Sequence, residues 1–302
     1  MNFQSVDCPL VFQIAGDKAW HMFYTGYNGT GYQTMQAKST NLTDWESSNL
    51  VMSYGKKGAF DHGGVTFGGA LFETYGLKDA RILKQREGTY WVLYGCYLNQ
   101  GGYEIRPGAQ GAAISEDGFH WDRLSDSLPI LSIEGAEVWE EDCIYQPWLV
   151  EHETKYYNFY NAANKNFEQM GLAVSDDLIR WHRYPHNPVI PNGSQHSFDE
   201  IFCADGKVFY DEDHWVMFYF GVSDVSDRRS AHIMAAYSLD LVHWTKDPEP
   251  LYKAGGHPFG LDEHYAHKIS IVYHPENDTF YMYYCAVGNK GRGIGLITSK
   301  LI

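Results

Sequence analysis

The chain has 302 residues, a net charge of −15 at pH 7 and 44% hydrophobic residues. The acidic charge argues against a nucleic acid or an anionic membrane as partner, because phosphate binding requires clustered lysine and arginine. The apolar content excludes a disordered chain, and no apolar run is as long as a membrane span. No basic and apolar leader is visible, so we expect a cytoplasmic protein, or a secreted or periplasmic one if a leader was removed. Nothing in the sequence indicates an oligomeric state.

Cysteine and aromatic residues set further limits. The five cysteines are odd in number and lack the Cys-x-x-Cys spacing of metal sites, so we expect them to be buried apolar residues in a reducing compartment. Aromatic residues make up 16% of the chain. They suit both a core between packed sheets and stacking platforms for sugar rings.

One short pattern, Ser-x-Asp/Asn followed four residues later by Trp, recurs along the chain. Its copies begin at Ser39, Ser115, Ser175 and Ser238, and a truncated copy lies at Ser299. The spacing of about 60 residues, with one longer step, indicates a repeat architecture. Because the pattern recurs equally, we interpret it as a scaffold turn that connects outer strands.

The segments between these turns read as short strands separated by Gly, Asp and Asn turns. Each repeat contains one Trp- or Tyr-rich strand, at residues 20–24, 90–94, 156–160, 215–219 and 280–284. Five such repeats predict an all-β fold, a five-bladed β-propeller that forms one domain over residues 1–302. A β-sandwich is the alternative, but it does not explain the period. Two Gly-rich inserts, 55–78 and 98–111, are expected to be loops that shape a site.

A column of polar residues is predicted where the first strand of each repeat begins. Its members are Asp7, Asp79, Tyr145, Asp205 and His267, with an error of one or two positions. In a propeller the first strands line the central channel, so these side chains would converge at one end of it. Polar groups on such apolar strands are costly unless they are paired or functional.

A second column precedes the first and places aromatic residues beside carboxylates. Its carboxylates are Asp61, Glu140, Glu141, Asp142, Asp199, Glu200 and Asp262. One interpretation is structural, with each acid satisfying turn and strand-end amides. The other is catalytic, because glycosidic bond cleavage needs one acid to protonate the leaving oxygen and a second carboxylate to activate water or attack carbon.

The chain resembles the five-bladed β-propeller glycoside hydrolases. Asp7-Cys-Pro9 is similar to the Asp-x-Pro opening of family 43, the arabinanase and xylosidase group. Asp79-Ala-Arg81 resembles part of the Glu-Asp-Pro-Arg segment of the family 130 mannoside phosphorylases and the Arg-Asp-Pro of invertases. Glu141-Asp-Cys143 resembles the Glu-Cys acid motif of invertases, with one extra residue between. Lys78 and Ala80 depart from the phosphorylase motif.

The resemblance implies roles for particular carboxylates. Asp7 would be the general base, as in family 43, or the nucleophile, as in invertases. Asp79 would orient the substrate or tune a partner's pKa, and Glu141 would be the general acid. Glu200 and Asp205 are further candidates for that acid. The expected sugar-contacting residues are Arg81, Trp139, Asp142, Tyr145, Trp148 and His267.

The predicted function is hydrolysis of an O-glycosidic bond in a plant- or microbe-derived oligosaccharide. The resemblance to family 43 favours inversion of the anomeric configuration. The alternatives are a glycoside phosphorylase of the mannoside type and a non-catalytic carbohydrate-binding propeller. We expect no cofactor, although the resemblance allows a divalent cation such as Ca²⁺ in the channel near His267.

Overall fold

Twenty β-strands and one 3-10 helix, Val138–Glu140, form the regular structure of residues 3–223 and 230–300, which the computed structural model describes (backbone only at 47–48). The predicted all-β fold is confirmed. Within these residues, no helix is long and apolar enough to cross a membrane. The strands belong to two large sheets of nine and eleven strands.

Each sheet consists of consecutive groups of antiparallel strands. The nine-stranded sheet holds group 1, with β1 (Ser5–Gln13), β2 (Trp20–Tyr27), β3 (Tyr32–Ser39) and β4 (Glu46–Met52). It also holds group 2, whose first to fourth strands are β5 (Gly64–Ala70), β7 (Thr89–Tyr97), β8 (Gly108–Ser115) and β9 (Asp122–Arg123); the short β6 (Gln85–Arg86) pairs with β7 outside this order. Within the sheets, single parallel bridges such as Tyr32–Gly64 connect the third strand of one group to the first strand of the next.

The eleven-stranded sheet contains the other three groups. They are group 3, with β10 (Cys143–His152), β11 (Lys155–Ala163), β12 (Glu168–Ser175) and β13 (His182–Arg183); group 4, with β14 (Phe202–Asp211), β15 (His214–Ser223), β16 (Ser230–Ser238) and β17 (Thr245–Lys246); and group 5, with β18 (Tyr265–His274), β19 (Thr279–Gly288) and β20 (Gly291–Thr298). The first strands β1, β5, β10, β14 and β18 contact one another in this order, and β18 contacts β1. Between those two, the Val11 amide donates a hydrogen bond of 2.9 Å to Ser270 Oγ.

The recurring Ser-x-Asp/Asn pattern forms the turn between the third and fourth strands, as predicted. In the copy at Ser175, the serine hydroxyl accepts the amide of Leu178 at 2.9 Å, and Asp177 accepts the amides of Ile179 and Arg180. Leu178 is fully buried at a φ of 68°, and its carbonyl accepts the indole N–H of Trp181. The same amide-to-serine bond recurs in the copies at Ser39 and Ser115, and in the copy at Ser238, Asp240 accepts the amides of Val242 and His243 in the same way as Asp177. The pattern is therefore scaffold.

The prediction that residues near Asp79 begin the first strand of group 2 is wrong. That strand is β5, which lies inside the segment expected to be a Gly-rich loop. Its glycines are required because β5 packs directly against β10. A Cβ on Gly68 would lie 2.7 Å from the Pro147 carbonyl oxygen, and one on Gly69 would lie 2.6 Å from the Leu149 nitrogen. Because β5 packs so closely on β10, this strand is rich in glycine, and its sequence therefore resembles that of a loop.

Candidate active site

The first strand of every group carries a β-bulge, and in β1, β10, β14 and β18 it lies near the start of the strand. In four of them the bulged residue has a positive φ: Cys8 (48°), Gln146 (37°), Asp205 (54°) and Lys268 (53°). Bulges re-aim side chains, and they are over-represented next to active sites. Here three of the bulged residues, Cys8, Gln146 and Lys268, line one small recess, so residues of three first strands meet at the centre of the ring. In the strand register Asp205 is equivalent to Cys8, Gln146 and Lys268, whereas the other predicted members Asp7, Tyr145 and His267 directly precede the bulged residue, so the predicted column is off by one position at Asp205.

Asp7 and two cations form a buried cluster at this centre. Asp7 Oδ2 lies 3.1 Å from Lys268 Nζ and 3.2 Å from Arg292 Nη1, and Asp7 Oδ1 accepts the amide of Cys8 at 2.8 Å. Burial opposes ionisation of Asp7, but Lys268 and Arg292 outweigh it and hold the pKa of this carboxyl well below its usual range. Asp7 is therefore an ionised and fully engaged carboxylate.

Glu104 is a second carboxylate on the same lysine. It lies in the loop between β7 and β8, inside the predicted insert 98–111, and its Oε1 is 3.2 Å from Lys268 Nζ. Attraction to Lys268, against the effect of burial, lowers the pKa of Glu104. Its side chain is 47% exposed, whereas Asp7 is nearly inaccessible. Glu104 is thus an ionised carboxylate within reach of a ligand.

Glu168, the first residue of β12, is a buried carboxyl whose pKa is shifted in the direction opposite to that of Glu104. It is 4% exposed, accepts a hydrogen bond from the Tyr145 hydroxyl, and lies 3.4 Å from Asn161 Nδ2. Burial raises the pKa of Glu168 to about 7; the Tyr145 bond opposes this rise, and the charge of Glu104 adds to it. A large share of Glu168 is therefore protonated at neutral pH.

Glu104 and Glu168 face the same cavity of about 250 Å³. The lining combines polar and charged side chains, both glutamates among them, with apolar ones; the lining residues are Glu104, Tyr145, Glu168, Phe202, Phe220, Val222, Ala231, Tyr265, His267, Lys268 and Arg292. A smaller recess of about 20 Å³ shares Glu104, Tyr145 and Lys268 with the cavity and reaches Asp7 and Gln146. Of the described polar atoms, Gln146 Oε1 is one that is buried without a partner.

The residues near His267 do not fit a divalent cation. Atoms of Asp7, His267 and Cys285 lie within 4.8 Å of one another. However, Lys268 and Arg292 already balance the charge of Asp7, and burial raises the pKa of the Cys285 thiol well above its usual value. Burial also lowers the pKa of His267 to about 3, and its Nδ1 is bonded to the Cys285 carbonyl. A further cation here would meet two positive side chains and a protonated thiol.

Three predicted site residues lie elsewhere. Asp79 is exposed, and its amide donates a hydrogen bond to the Gly76 carbonyl. Arg81 is buried with its guanidinium near the rings of Phe72 and Phe209. Trp148 packs in the core and donates its indole N–H to a backbone carbonyl. Within the described part of the chain, the walls of the cavity and recess include none of these three.

Asp205 is adjacent to the site but is not in the cavity wall formed by the described residues. It is buried and paired with Lys207 at 2.7 Å. The Asn161 side chain accepts the Asp205 amide at 2.7 Å through Oδ1, while its Nδ2 faces Glu168. Asp205 is thus one side chain away from Glu168.

The buried acids of the second predicted column hold the scaffold together. Four buried acids precede the first strands of groups 2 to 5 and accept a hydrogen bond from a second-strand tyrosine: Asp61 from Tyr94, Glu140 from Tyr160, Asp199 from Tyr219 and Asp262 from Tyr284. The first three also pair with a fourth-strand cation: Arg123, Arg183 and Lys246. These contacts tie the loop before the first strand to the strands of its own group.

The candidate acids and the tryptophan of this column lie beside those pairs. Glu141 is exposed, Asp142 lies 3.4 Å from Arg106, and Glu200 accepts the His196 amide at 2.6 Å. Trp139 stacks on Tyr160, with ring centroids 6.2 Å apart. In the described part of the chain, the cavity wall contains none of Glu141, Asp142, Glu200 and Trp139, whereas it includes Tyr145 and His267, two of the expected sugar-contacting residues.

Sequence reasoning missed Glu104, Glu168, Lys268 and Arg292. A usable signal existed for two of them. The register places Tyr32, Gly108, Glu168, Ala231 and Arg292 at equivalent positions near the start of the third strands. A position where equivalent strands carry such different residues is where the repeat is no longer uniform. Glu168 and Arg292 could have been found there.

Solved structures of the same fold include several glycoside hydrolases. A structure described as a complex of BT0996 with RGII is 28% identical, with a TM-score of 0.85 over 100% of this chain and 89% of that chain. A structure described as "Glycoside hydrolase" gives the same values. A thermostable family-43 glycoside hydrolase is 15% identical, with a TM-score of 0.68 over 99% of this chain and 90% of that chain. Other structures of this fold are described as belonging to families 32, 117 and 130.

Sequence comparison gives the family. A search of curated proteins finds no match. The family model described as "Glycosyl hydrolases family 32 N-terminal domain" matches residues 83–263, more than half of the sequence, including Glu104 and Glu168. The predicted resemblance to propeller glycoside hydrolases is confirmed. The protein is a glycoside hydrolase, and its chain belongs to the family described as the glycosyl hydrolase family 32 N-terminal domain.

Proposed function

We propose that this glycoside hydrolase cleaves its substrate with Glu168 as general acid and Glu104 as ionised partner. The observation that carries this assignment is that two carboxyls with oppositely shifted pKa values face one cavity. Environments that separate the pKa values of two carboxyls divide the acid and base roles between them. Glu168 would protonate the leaving oxygen, while Glu104 would attack the anomeric carbon or activate water.

Asp7 is the second candidate for the ionised partner. Its position at the bulge of β1, in the recess that adjoins the cavity, supports this role. Against it, Asp7 is only 4% exposed and its carboxylate is already paired with both Lys268 and Arg292. We therefore propose that Asp7 holds Lys268 in place, so that the lysine keeps Glu104 ionised.

The five groups of strands are proposed to be the blades of a five-bladed β-propeller. The closed ring of contacts among the five first strands supports this architecture. The cavity then lies at one end of the central channel, where the bulged residues of several blades meet. We propose a single domain over 1–302 on the same grounds.

The proposed substrate is an oligosaccharide, and the structure described as a complex with RGII makes that carbohydrate the first to test. The cavity of about 250 Å³ has room for one sugar ring. The unpartnered Gln146 Oε1 can accept a hydrogen bond from a sugar hydroxyl in the recess.

Two features of the reaction are separate proposals. The Asp7-Cys-Pro9 segment favours inversion, whereas membership of family 32 favours retention; NMR of the first-formed anomer distinguishes them. Hydrolysis is favoured over phosphorolysis because Lys268 and Arg292 are already paired with Asp7 and Glu104, so little positive charge is left to bind phosphate.

A panel of aryl glycosides and RGII oligosaccharides, with and without phosphate, tests the assignment. Glu104→Gln and Glu168→Gln should each lower kcat by about 10²- to 10⁴-fold while ligand affinity is kept. Glu141→Gln is the matched control and should be as active as wild type, since Glu141 is exposed. A non-catalytic binding protein would instead bind sugar and turn over nothing. Wild-type kcat in both site variants would refute the assignment.

A further inference from the structure

The loop that carries Glu104 has little regular structure to hold it. Residues 98–107 connect β7 to β8 and contain no strand or helix. Glu104 itself has a φ of 48°, a left-handed conformation that residues with a side chain adopt only at an energetic cost. The loop extends from group 2 to Lys268 of group 5. A contact outside the loop must therefore hold Glu104 in place.

Tyr103, the neighbour of Glu104, makes such a contact. Its ring packs on Tyr27 with centroids 4.3 Å apart and the ring planes tilted by 37°, and its hydroxyl is hydrogen-bonded to Ser5 Oγ at 2.7 Å. Both partners belong to group 1, so Tyr103 joins the loop of one group to the strands of another. It is the only aromatic residue between 98 and 107, and Gly101 and Gly102 directly precede it.

We propose that Tyr103 is the positioning residue for Glu104: by anchoring the loop on group 1, it holds the Glu104 carboxylate against Lys268. This inference rests on the proposed role of Glu104. Other bonds support the backbone, such as the Glu104 amide to the Tyr32 hydroxyl at 3.1 Å. Tyr103 differs from these bonds because its aromatic ring packs on Tyr27 and Tyr32, which belong to group 1.

Removal of the Tyr103 side chain should raise the pKa of Glu104. The charged groups that face it come from four strands: Lys268 on β18, Arg292 on β20, Asp7 on β1 and, across the cavity, Glu168 on β12. Lys268 has the largest effect. A Glu104 that moves away from Lys268 loses the interaction that lowers its pKa, so its pKa rises. The acid limb of kcat/KM should then move to higher pH.

The test uses Tyr103→Ala, which removes the ring, and Tyr103→Phe, which removes only the bond to Ser5. The control is Tyr237→Ala, because Tyr237 is similarly exposed (41% against 47%) and its ring contacts His214. Tyr103→Ala should lower kcat/KM by about 10- to 100-fold, as misplacement of a reacting group does. It should also move the acid limb of the kcat/KM profile to higher pH. Tyr103→Phe should stay within about threefold. The control should match wild type.

Two further measurements keep the outcomes separate. A Tyr103→Ala protein with wild-type kcat/KM and acid limb would overturn the proposal; Tyr103→Leu carries the same test should the alanine variant not fold. If Glu104→Gln is fully active, the catalytic role of Glu104 fails instead. The positioning claim is then decided by NMR titration of the Glu104 carboxyl. Its signal is the one that is missing from the spectrum of Glu104→Gln. A raised pKa in Tyr103→Ala supports positioning, and an unchanged one refutes it.

Discussion

The Tyr145 hydroxyl donates a hydrogen bond to the buried carboxyl of Glu168, and this bond limits how far burial raises the pKa of the acid. Tyr145→Phe should therefore raise the pKa of Glu168 above about 7. Because a general acid must be protonated, the basic limb of kcat/KM should move to higher pH. Glu104→Gln should move the remaining activity the opposite way, since it removes a neighbouring negative charge.

The pH–rate profiles of both variants check this pair of shifts. Tyr157→Phe is the control, because this half-buried tyrosine lies outside the described cavity wall. Basic limbs that coincide in all three variants and wild type would show that Glu168 does not set this limb.

Stability should depend on pH through Glu168. Its pKa is raised on folding from 4.5 to about 7, so the folded state binds the extra proton. The stability that this proton confers is present below about pH 4.5 and is lost as pH rises through about 7. Glu168→Gln cannot ionise, and we expect it to be more stable than wild type at pH 8, by up to about 3 kcal/mol. Urea unfolding at pH 5 and pH 8 measures the difference; an equal gap at both would contradict the prediction.

How far the sequence predicts this protein depends on whether a feature is repeated. The Ser-x-Asp/Asn turns were predictable, because copies such as those at Ser115 and Ser175 make the same bonds. The strand β5 was not predictable, because close packing on β10 requires glycine at positions where a strand usually carries apolar side chains. Asp7 could be found through its motif.

Glu104 and Lys268 could not be found in the same way. They are far apart in sequence, and the sequence contains no pattern for a loop that crosses between groups. The bulges added a second difficulty: one extra residue in a strand determines whether His267 or Lys268 faces a partner, and sequence periodicity does not reveal it.

The glycines opposite the second-strand tyrosines should be essential for stability. A Cβ on Gly171 would lie 2.4 Å from Tyr160 Cζ, the tyrosine whose hydroxyl donates to buried Glu140. Gly171→Ala should destabilise the protein by about 1–3 kcal/mol. Gly293→Ala is the matched control: this residue also lies in a third strand, and a Cβ there meets nothing within 4 Å. Chemical unfolding of both variants tests this; equal midpoints would argue against it.

Chelation should leave activity unchanged. The charge of Asp7 is balanced by Lys268 and Arg292 rather than by a metal ion. We expect the same kcat/KM before and after dialysis against EDTA, and no gain on adding Ca²⁺. Activity that is lost with EDTA and restored by Ca²⁺ would place a cation in the channel and overturn our interpretation of the cluster around His267.

The central claim is that Glu168 protonates the leaving oxygen, and the dependence of Glu168→Gln on the leaving group tests it most directly. The variant and wild type are compared on two aryl glycosides of one sugar, one with an activated and one with a poor leaving group. A poor leaving group needs the proton, so we predict a loss of at least about 10²-fold in kcat/KM on that substrate and a much smaller loss on the activated one. Equal losses on both substrates would contradict the assignment of Glu168 as general acid.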